Sequence, residues 1–185
     1  MDRFAHLQWP FFDPRHATLS RDVDTWAVEK LEYAHGEDAD SICRRLVDDL
    51  GKAGYLSYCV NESPDVRSIA LIRETLAYHA GLADFAFVMQ GLGSGPIVLA
   101  GSEQLRKAYL PRVAAGEAIA AFALSEPDAG SDVQAMTTTA KRKGDAWTKY
   151  LQTASASCSV VLFLRIHASA SRASLRWRSS RNGHS

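Results

Sequence analysis

Apolar residues between Val23 and Ala34 recur at Val23, Trp26, Ala27, Leu31 and Ala34, one face of a helix that begins near Ser20 and that Gly36 ends. Ile42, Cys43, Leu46, Val47 and Leu50 repeat the stripe, with Asp38 or Asp40 near its start and Gly51 or Gly54 near its end. Ser63-Pro64-Asp65 predicts a third opening, with a cap residue, proline at the first position and an acid in the first turn. Leu82 to Leu92 is apolar nearly all round, the pattern of a central bundle helix. Gly91-Leu92-Gly93-Ser94-Gly95, followed by Pro96, then reads as a break or a close contact between helices. Ser102 caps a fifth helix through Tyr109, stopped by Pro111. Upstream, Pro10 and Pro14 restrict helix, and the nearby Trp9, Phe11 and Phe12 are expected to pack on the body.

The period then changes. Glu117 to Leu124 is short, apolar and bounded by Gly116 and Pro127, which favours a buried strand, although its alanines leave helix open. Thr137 to Arg142 reads as a second strand, Lys143-Gly144-Asp145 as a turn, and Ala146-Trp147-Thr148 as the start of a third. The expected fold is mainly α: a helical bundle followed by the opening of an antiparallel sheet. No internal repeat appears.

Composition bounds the partners. In 185 residues, 21 basic and 21 acidic side chains cancel, so nothing calls for nucleic acid or an anionic membrane. Cys43, Cys59 and Cys158 lack any metal or disulfide spacing and read as reduced thiols. The N-terminus lacks a signal-peptide pattern, and no apolar run approaches the roughly 20 residues of a membrane span. A soluble, cytoplasmic protein is expected. The histidines are scattered, so no metal site is expected either. Charge is uneven, however. Asp145 is the last acid, and Ala146 to Ser185 is rich in Ser, Ala and Arg.

The candidate chemistry lies in Phe122-Ala123-Leu124-Ser125-Glu126-Pro127-Asp128-Ala129-Gly130-Ser131-Asp132. Gly130 allows a positive φ, and small Ala129 and Ser131 let a ligand approach the backbone. Consecutive N–H groups in such a turn suit a pyrophosphate, and the Ser125 and Ser131 hydroxyls can donate to flavin or phosphate oxygens. Pro, Asp, Gly and Ser are also ordinary turn residues, so a plain hairpin connection explains the composition as well. Glu126 precedes a proline in a turn and reads as a local hydrogen-bond acceptor, not a catalytic base. Gly91 to Gly95 does not follow a strand, so it lacks the context of a dinucleotide fingerprint.

Longer stretches resemble the flavin-dependent acyl-CoA dehydrogenases. Leu92 to Gln104 resembles that family's helix-break-helix, and Lys107 to Pro111 with Ala115-Gly116-Glu117 its approach to the sheet. Phe122 to Asp132 resembles its signature loop, commonly written FALTEPxAGSD, with Ser125 in place of the usual Thr. Thr137 to Trp147 continues the match, which is specific from about residue 66 and weaker back to residue 9. The resemblance implies an α-helical N-terminal domain and the first strands of a β-barrel-like middle domain. It implies FAD bound by residues 122 to 131, with Ser131 also touching an acyl-CoA substrate. The reaction implied is α,β-dehydrogenation to a trans-2-enoyl-CoA, with electrons leaving through an electron-transfer flavoprotein. A homo-oligomer is implied as well. Leu82, Phe85, Phe87, Met89 and Gln90 lie where the family's acyl-chain pocket begins.

After Trp147 the resemblance stops. Where the family runs through an Asn-Gly-x-Lys turn into a flavin-ring segment, this chain reads Thr148-Lys149-Tyr150-Leu151-Gln152-Thr153-Ala154-Ser155. The expected division is a helical domain over 1–116, the start of a β-domain over 117–150, and an aberrant tail without fixed structure over 151–185. A shift of reading frame near codon 148 accounts for the tail. The catalytic carboxylate is expected in a C-terminal domain that these residues do not contain, so the chain is expected to be an inactive fragment. The competing readings are a non-enzymatic helical module that binds or oligomerises and, more weakly, a nucleic-acid-binding tail over Arg172 to Arg181.

Overall fold

A computed structural model describes residues 3–31, 37–122, 125–126, 128–137, 139–143, 146–150 and 165–166. Helix α1 (Pro14–Lys30) starts earlier than the periodicity suggests. Pro14 occupies the first helical position, where a missing N–H costs nothing. Asp13 precedes it and closes a capping box, its N–H donating to His16 Nδ1 at 2.9 Å. Ala34 and Gly36, expected near the end of this helix, lie outside the described residues. In α2 (Ala39–Lys52) the Asp38 carboxylate accepts the Ser41 N–H at 3.0 Å. In α3 (Val66–His79) the cap is Asp65, not Ser63. Asp65 also faces His16 Nε2 at 2.9 Å and accepts from Ser68 Oγ at 3.0 Å. Ser63 closes a local turn instead, its N–H donating to Asn61 Oδ1. Tertiary partners, absent from local pattern, decide which residue caps.

Three further expectations need correction. Helix α4 (Gly81–Ala100) runs unbroken through the glycines and Pro96. Burial of Gly93 and Ser94 inside the fold outweighs the poor helix propensity of the stretch. At 20 residues, α4 is long and apolar enough to cross a membrane by length and composition alone, contrary to the sequence expectation. Its inward side, Ala83, Ala86, Phe87, Ile97 and Val98, packs in the bundle. Helix α5 (Glu103–Ala114) begins on Ser102, as expected, but continues past Pro111. It ends where Gly116, at φ 75°, lets the Gly116 and Glu117 N–H groups return to the Val113 and Arg112 carbonyls at 3.0 and 2.9 Å.

Apolar burial forms two clusters. Val23, Leu46, Leu50, Ile72, Leu76 and Phe87 centre the larger one among α1 to α4. Ile97, Val98, Leu110, Val113, Ala118 and Ala120 form the smaller, joining the end of α4 to α5 and the following chain. Strand β1 is shorter than expected, Ala118–Ile119, because the chain after it turns to side-chain partners. Strands β2 (Thr139–Lys143) and β3 (Ala146–Tyr150) pair antiparallel, Lys141 opposite Thr148, as the sequence predicts. Strand β4 (Arg165–Ile166) pairs antiparallel with β1. The turn residues Gly144 and Asp145, and the rest of the tail from Leu151, lie outside the described residues. The fold is thus mainly α, a helical bundle leading into short strands.

Candidate functional site

The bundle fixes where the loop begins. A Cβ on Gly51 of α2 would sit 2.5 Å from the Ala115 carbonyl, and one on Gly116 would sit 2.6 Å from the Val47 carbonyl oxygen. Only glycine therefore permits the α5–β1 turn to lie against α2. One turn of α4 then meets the next stretch. A Cβ on Gly93 would sit 2.7 Å from Ala121 N and 2.9 Å from Ala120 C. The contact expected at this glycine run is real, but it is between helix and extended chain. Beside it, buried Gln90 accepts the Ala120 N–H on Oε1 at 2.8 Å and donates from Nε2 to the Ala86 carbonyl at 3.1 Å.

The loop itself closes on polar contacts. Glu126 and Ala129 exchange both backbone hydrogen bonds, at 3.0 and 3.2 Å, enclosing positions 127 and 128. Glu126 Oε2 accepts from Thr137 N at 2.7 Å and from Thr137 Oγ1 at 3.0 Å. Its carboxylate braces the far end of the loop, which agrees with a local acceptor rather than a base. Asp132 Oδ1 accepts the Gln134 N–H at 3.1 Å and starts the single turn Val133–Ala135.

Ala129 is buried, Phe122 and Glu126 are half-buried, and Ser125, Asp128, Gly130 and Ser131 are exposed. Ala123, Leu124 and Pro127 lie outside the described residues. Gly130 does not adopt a positive φ; among the described glycines only Gly54 and Gly116 do. The space around Gly130 is open, since a Cβ there would meet nothing within 4 Å. Among the described residues the N–H groups of Gly130, Ser131 and Asp132 find no acceptor. Exposed donors in series, with the exposed Ser125 and Ser131 in the same loop, are the kind of donor set that a pyrophosphate or a flavin carbonyl needs.

The expected acyl-pocket residues divide. Phe87 and Gln90 are buried in the bundle, Leu82 and Met89 are half-buried, and Phe85 faces outward. Phe85, Leu92 and Leu99, spaced two turns apart, line the outer side of α4 as an exposed apolar stripe. A charged cleft of about 530 Å³ lies elsewhere, lined by Arg44, Arg45 and Arg112. Its arginines are paired with Asp40, Glu37 and Glu117, so it offers no free cation for a ligand phosphate. Burial pushes the Cys59 thiol up to about 12, so it is no nucleophile. Among the described residues no cluster of metal-ligating side chains forms. The support from Gln90 and Gly93 was hidden in sequence. A polar residue inside an apolar helix was its one signal.

Residues 13–117 match the family model described as "Acyl-CoA dehydrogenase, N-terminal domain". Over 152 residues the chain is 42% identical to a "Probable acyl-CoA dehydrogenase" of Bacillus subtilis (strain 168), covering 77% of this chain and 25% of that protein. It is 30% identical over 143 residues to the "Long-chain specific acyl-CoA dehydrogenase, mitochondrial" of Sus scrofa, covering 74% of this chain and 33% of that one. Among solved structures it is similar to an acyl-CoA dehydrogenase complexed with FAD from Bacillus anthracis, at TM-score 0.62 and 31% identity, over 75% of this chain and 25% of that chain. It is also similar to a structure described as the electron transferring flavoprotein of Acidaminococcus fermentans, at TM-score 0.62 and 29% identity, over 75% of this chain and 38% of that chain. The chain spans a quarter to a third of the length of these two curated relatives.

Proposed function

This chain belongs to the acyl-CoA dehydrogenase family, and on that premise we propose that residues 122–131 are the FAD-contacting segment of an enzyme that desaturates an acyl-CoA thioester at Cα–Cβ. The observation that carries the reading is the row of N–H groups at Gly130, Ser131 and Asp132 that find no acceptor among the described residues, set on a loop that the bundle anchors. The residues fit the cofactor: three backbone donors for phosphate or flavin oxygens, the Ser125 and Ser131 hydroxyls, and open space at Gly130. FAD, when bound, supplies the acceptor for the substrate's hydride.

This chain's residues bind and orient. Ser131, exposed in the loop, is assigned to the acyl-CoA as well as the cofactor, and the apolar stripe of α4 suits an acyl chain. We assign no described carboxylate as the base. Of the two acids within residues 122–131, Glu126 is engaged by Thr137 and Asp128 is exposed. Abstraction of the α-proton, a step worth on the order of 10²–10⁴-fold in rate, is therefore assigned to a group outside these residues, and the 185-residue polypeptide is expected to turn over poorly. An electron-transfer flavoprotein as electron acceptor, a homo-oligomeric state and a cytoplasmic location complete the proposal. The free thiols Cys43 and Cys59 suit a reducing compartment.

The test is an absorption spectrum of the purified protein mixed with FAD and passed through gel filtration. Flavin bands that co-elute with the protein are expected, together with their loss in Gly130→Val. A colourless protein peak would contradict the assignment and favour a non-enzymatic helical module.

A further inference from the structure

We infer that Gln90 is a positioning residue for the flavin-contacting segment, acting with Gly93 to set its height and register against α4. The inference rests on the reading of residues 122–131 given above. Gln90 is 1% exposed on the inward side of α4, whose other buried polar side chain, Ser94, donates its hydroxyl to the Gln90 carbonyl at 2.5 Å. A polar side chain is buried at such a position only when its hydrogen bonds are met. Both are: Nε2 donates to Ala86 O at 3.1 Å, and Oε1 accepts from Ala120 N at 2.8 Å.

The first bond holds the amide within its own helix and fixes which atom points outward. The second reaches across 30 residues to the backbone two residues before Phe122. Among the described residues the acceptor of the Ala120 N–H is this side chain. Gly93, one turn further along α4, allows the approach, because any Cβ there would push against Ala120 and Ala121. The helix thus reads the backbone of the chain entering the site, by one directional bond and one steric stop. Neither residue touches the exposed donors at Gly130 and Ser131. Their effect on cofactor is carried through the chain between.

Three proteins test this: wild type, Gln90→Met, which keeps volume but removes the acceptor, and Gln90→Glu. In each, FAD affinity is measured by flavin fluorescence, and exchange of the Ala120 amide hydrogen is followed by NMR. In wild type the Ala120 amide is expected to exchange slowly, like the core amides of α4. In Gln90→Met its exchange is expected to accelerate and FAD affinity to fall about tenfold, the scale on which an unmet buried donor shifts an equilibrium. Gln90→Glu provides rescue. A buried carboxyl has a raised pKa, so in mildly acidic solution it is neutral, donates to Ala86 O and accepts from Ala120 N. Its affinity, relative to wild type at the same pH, is expected to recover on acidification. Rapid exchange of the Ala120 amide in wild type would overturn the inference. So would unchanged exchange in Gln90→Met, or unchanged affinity there beside a flavin-binding wild type. A wild type that binds no FAD would instead overturn the assignment of the loop, while Ala120 exchange still decides whether Gln90 holds the chain.

Discussion

The helical bundle and the loop that follows it are held by different physics. In the bundle, Leu50, Leu76 and Phe87 are 0% exposed and lie among apolar neighbours from several helices, so no single polar contact is decisive. From Ala120 to Thr137 the order depends on a few directional bonds: Gln90 to Ala120, the Glu126–Ala129 pair, and Glu126 to Thr137. The first region is expected to unfold cooperatively and to respond little to ligand. The second is close to the limit of local stability, and it presents open donors that a ligand can satisfy. A rigid body that aims a loosely braced loop is a common arrangement for a binding site.

The largest break in this contrast comes from the core. Phe87→Ala removes a fully buried ring, and its expected cost is about 3–5 kcal/mol, read as a large fall in the thermal midpoint. Bundle and loop should be lost together, because the loop has no independent core. Survival of a cooperative transition near the wild-type midpoint would show that α4 is not the centre of the fold.

Next is the polar clasp between the starts of α1 and α3. The His16 hydrogen bond, helped by Ser68 and the Arg67 N–H, holds the Asp65 carboxyl well below its usual range, against the opposing effect of burial. A depressed folded value means the stabilisation is complete above the unfolded pKa of about 3.9 and is lost as pH falls from there toward the folded value. Asp65→Asn is expected to cost on the order of 1.5–3 kcal/mol at neutral pH. It should also flatten the loss of stability on acidification below about pH 4. Urea midpoints measured from pH 7 to pH 2.5 check both, and parallel curves for the two proteins would remove Asp65 from the account.

The smallest effect on stability sharpens the comparison most. Glu126→Ala removes the two hydrogen bonds to Thr137, both within the exposed loop, so the thermal midpoint should move by no more than about 0.5 kcal/mol equivalent. Limited proteolysis should nonetheless cut between residues 126 and 137 markedly faster. A large drop in midpoint would mean that the loop is part of the cooperative core.

The sequence carried most of the bundle because amphipathic spacing is local. Val23, Leu46 and Leu76 lie on the faces their periodicity assigns, and Asp38 and Ser102 cap as their positions suggest. It failed where burial overrides propensity. Pro96 and Pro111 sit inside helices, and Gly93 packs against the extended chain at Ala120 and Ala121 where a break or a contact between helices was expected. Asp65 displaced Ser63 as a cap because His16, distant in sequence, also needs it. In the loop, residue types anticipated Glu126 as a local acceptor. The conformation of Gly130 and the support from Gln90 depend on contacts that no local pattern encodes.

The most direct test of the account is amide hydrogen exchange across the chain, with and without FAD. Slow exchange in α3 and α4 is expected in both conditions. Residues 125–137 should exchange rapidly alone and slow by about tenfold or more with FAD, because a ligand that binds only the ordered loop stabilises it by mass action. Equal exchange of the loop with and without FAD, or protection of the loop equal to that of α4 before FAD is added, would contradict the claim that a rigid bundle aims a ligand-ordered loop.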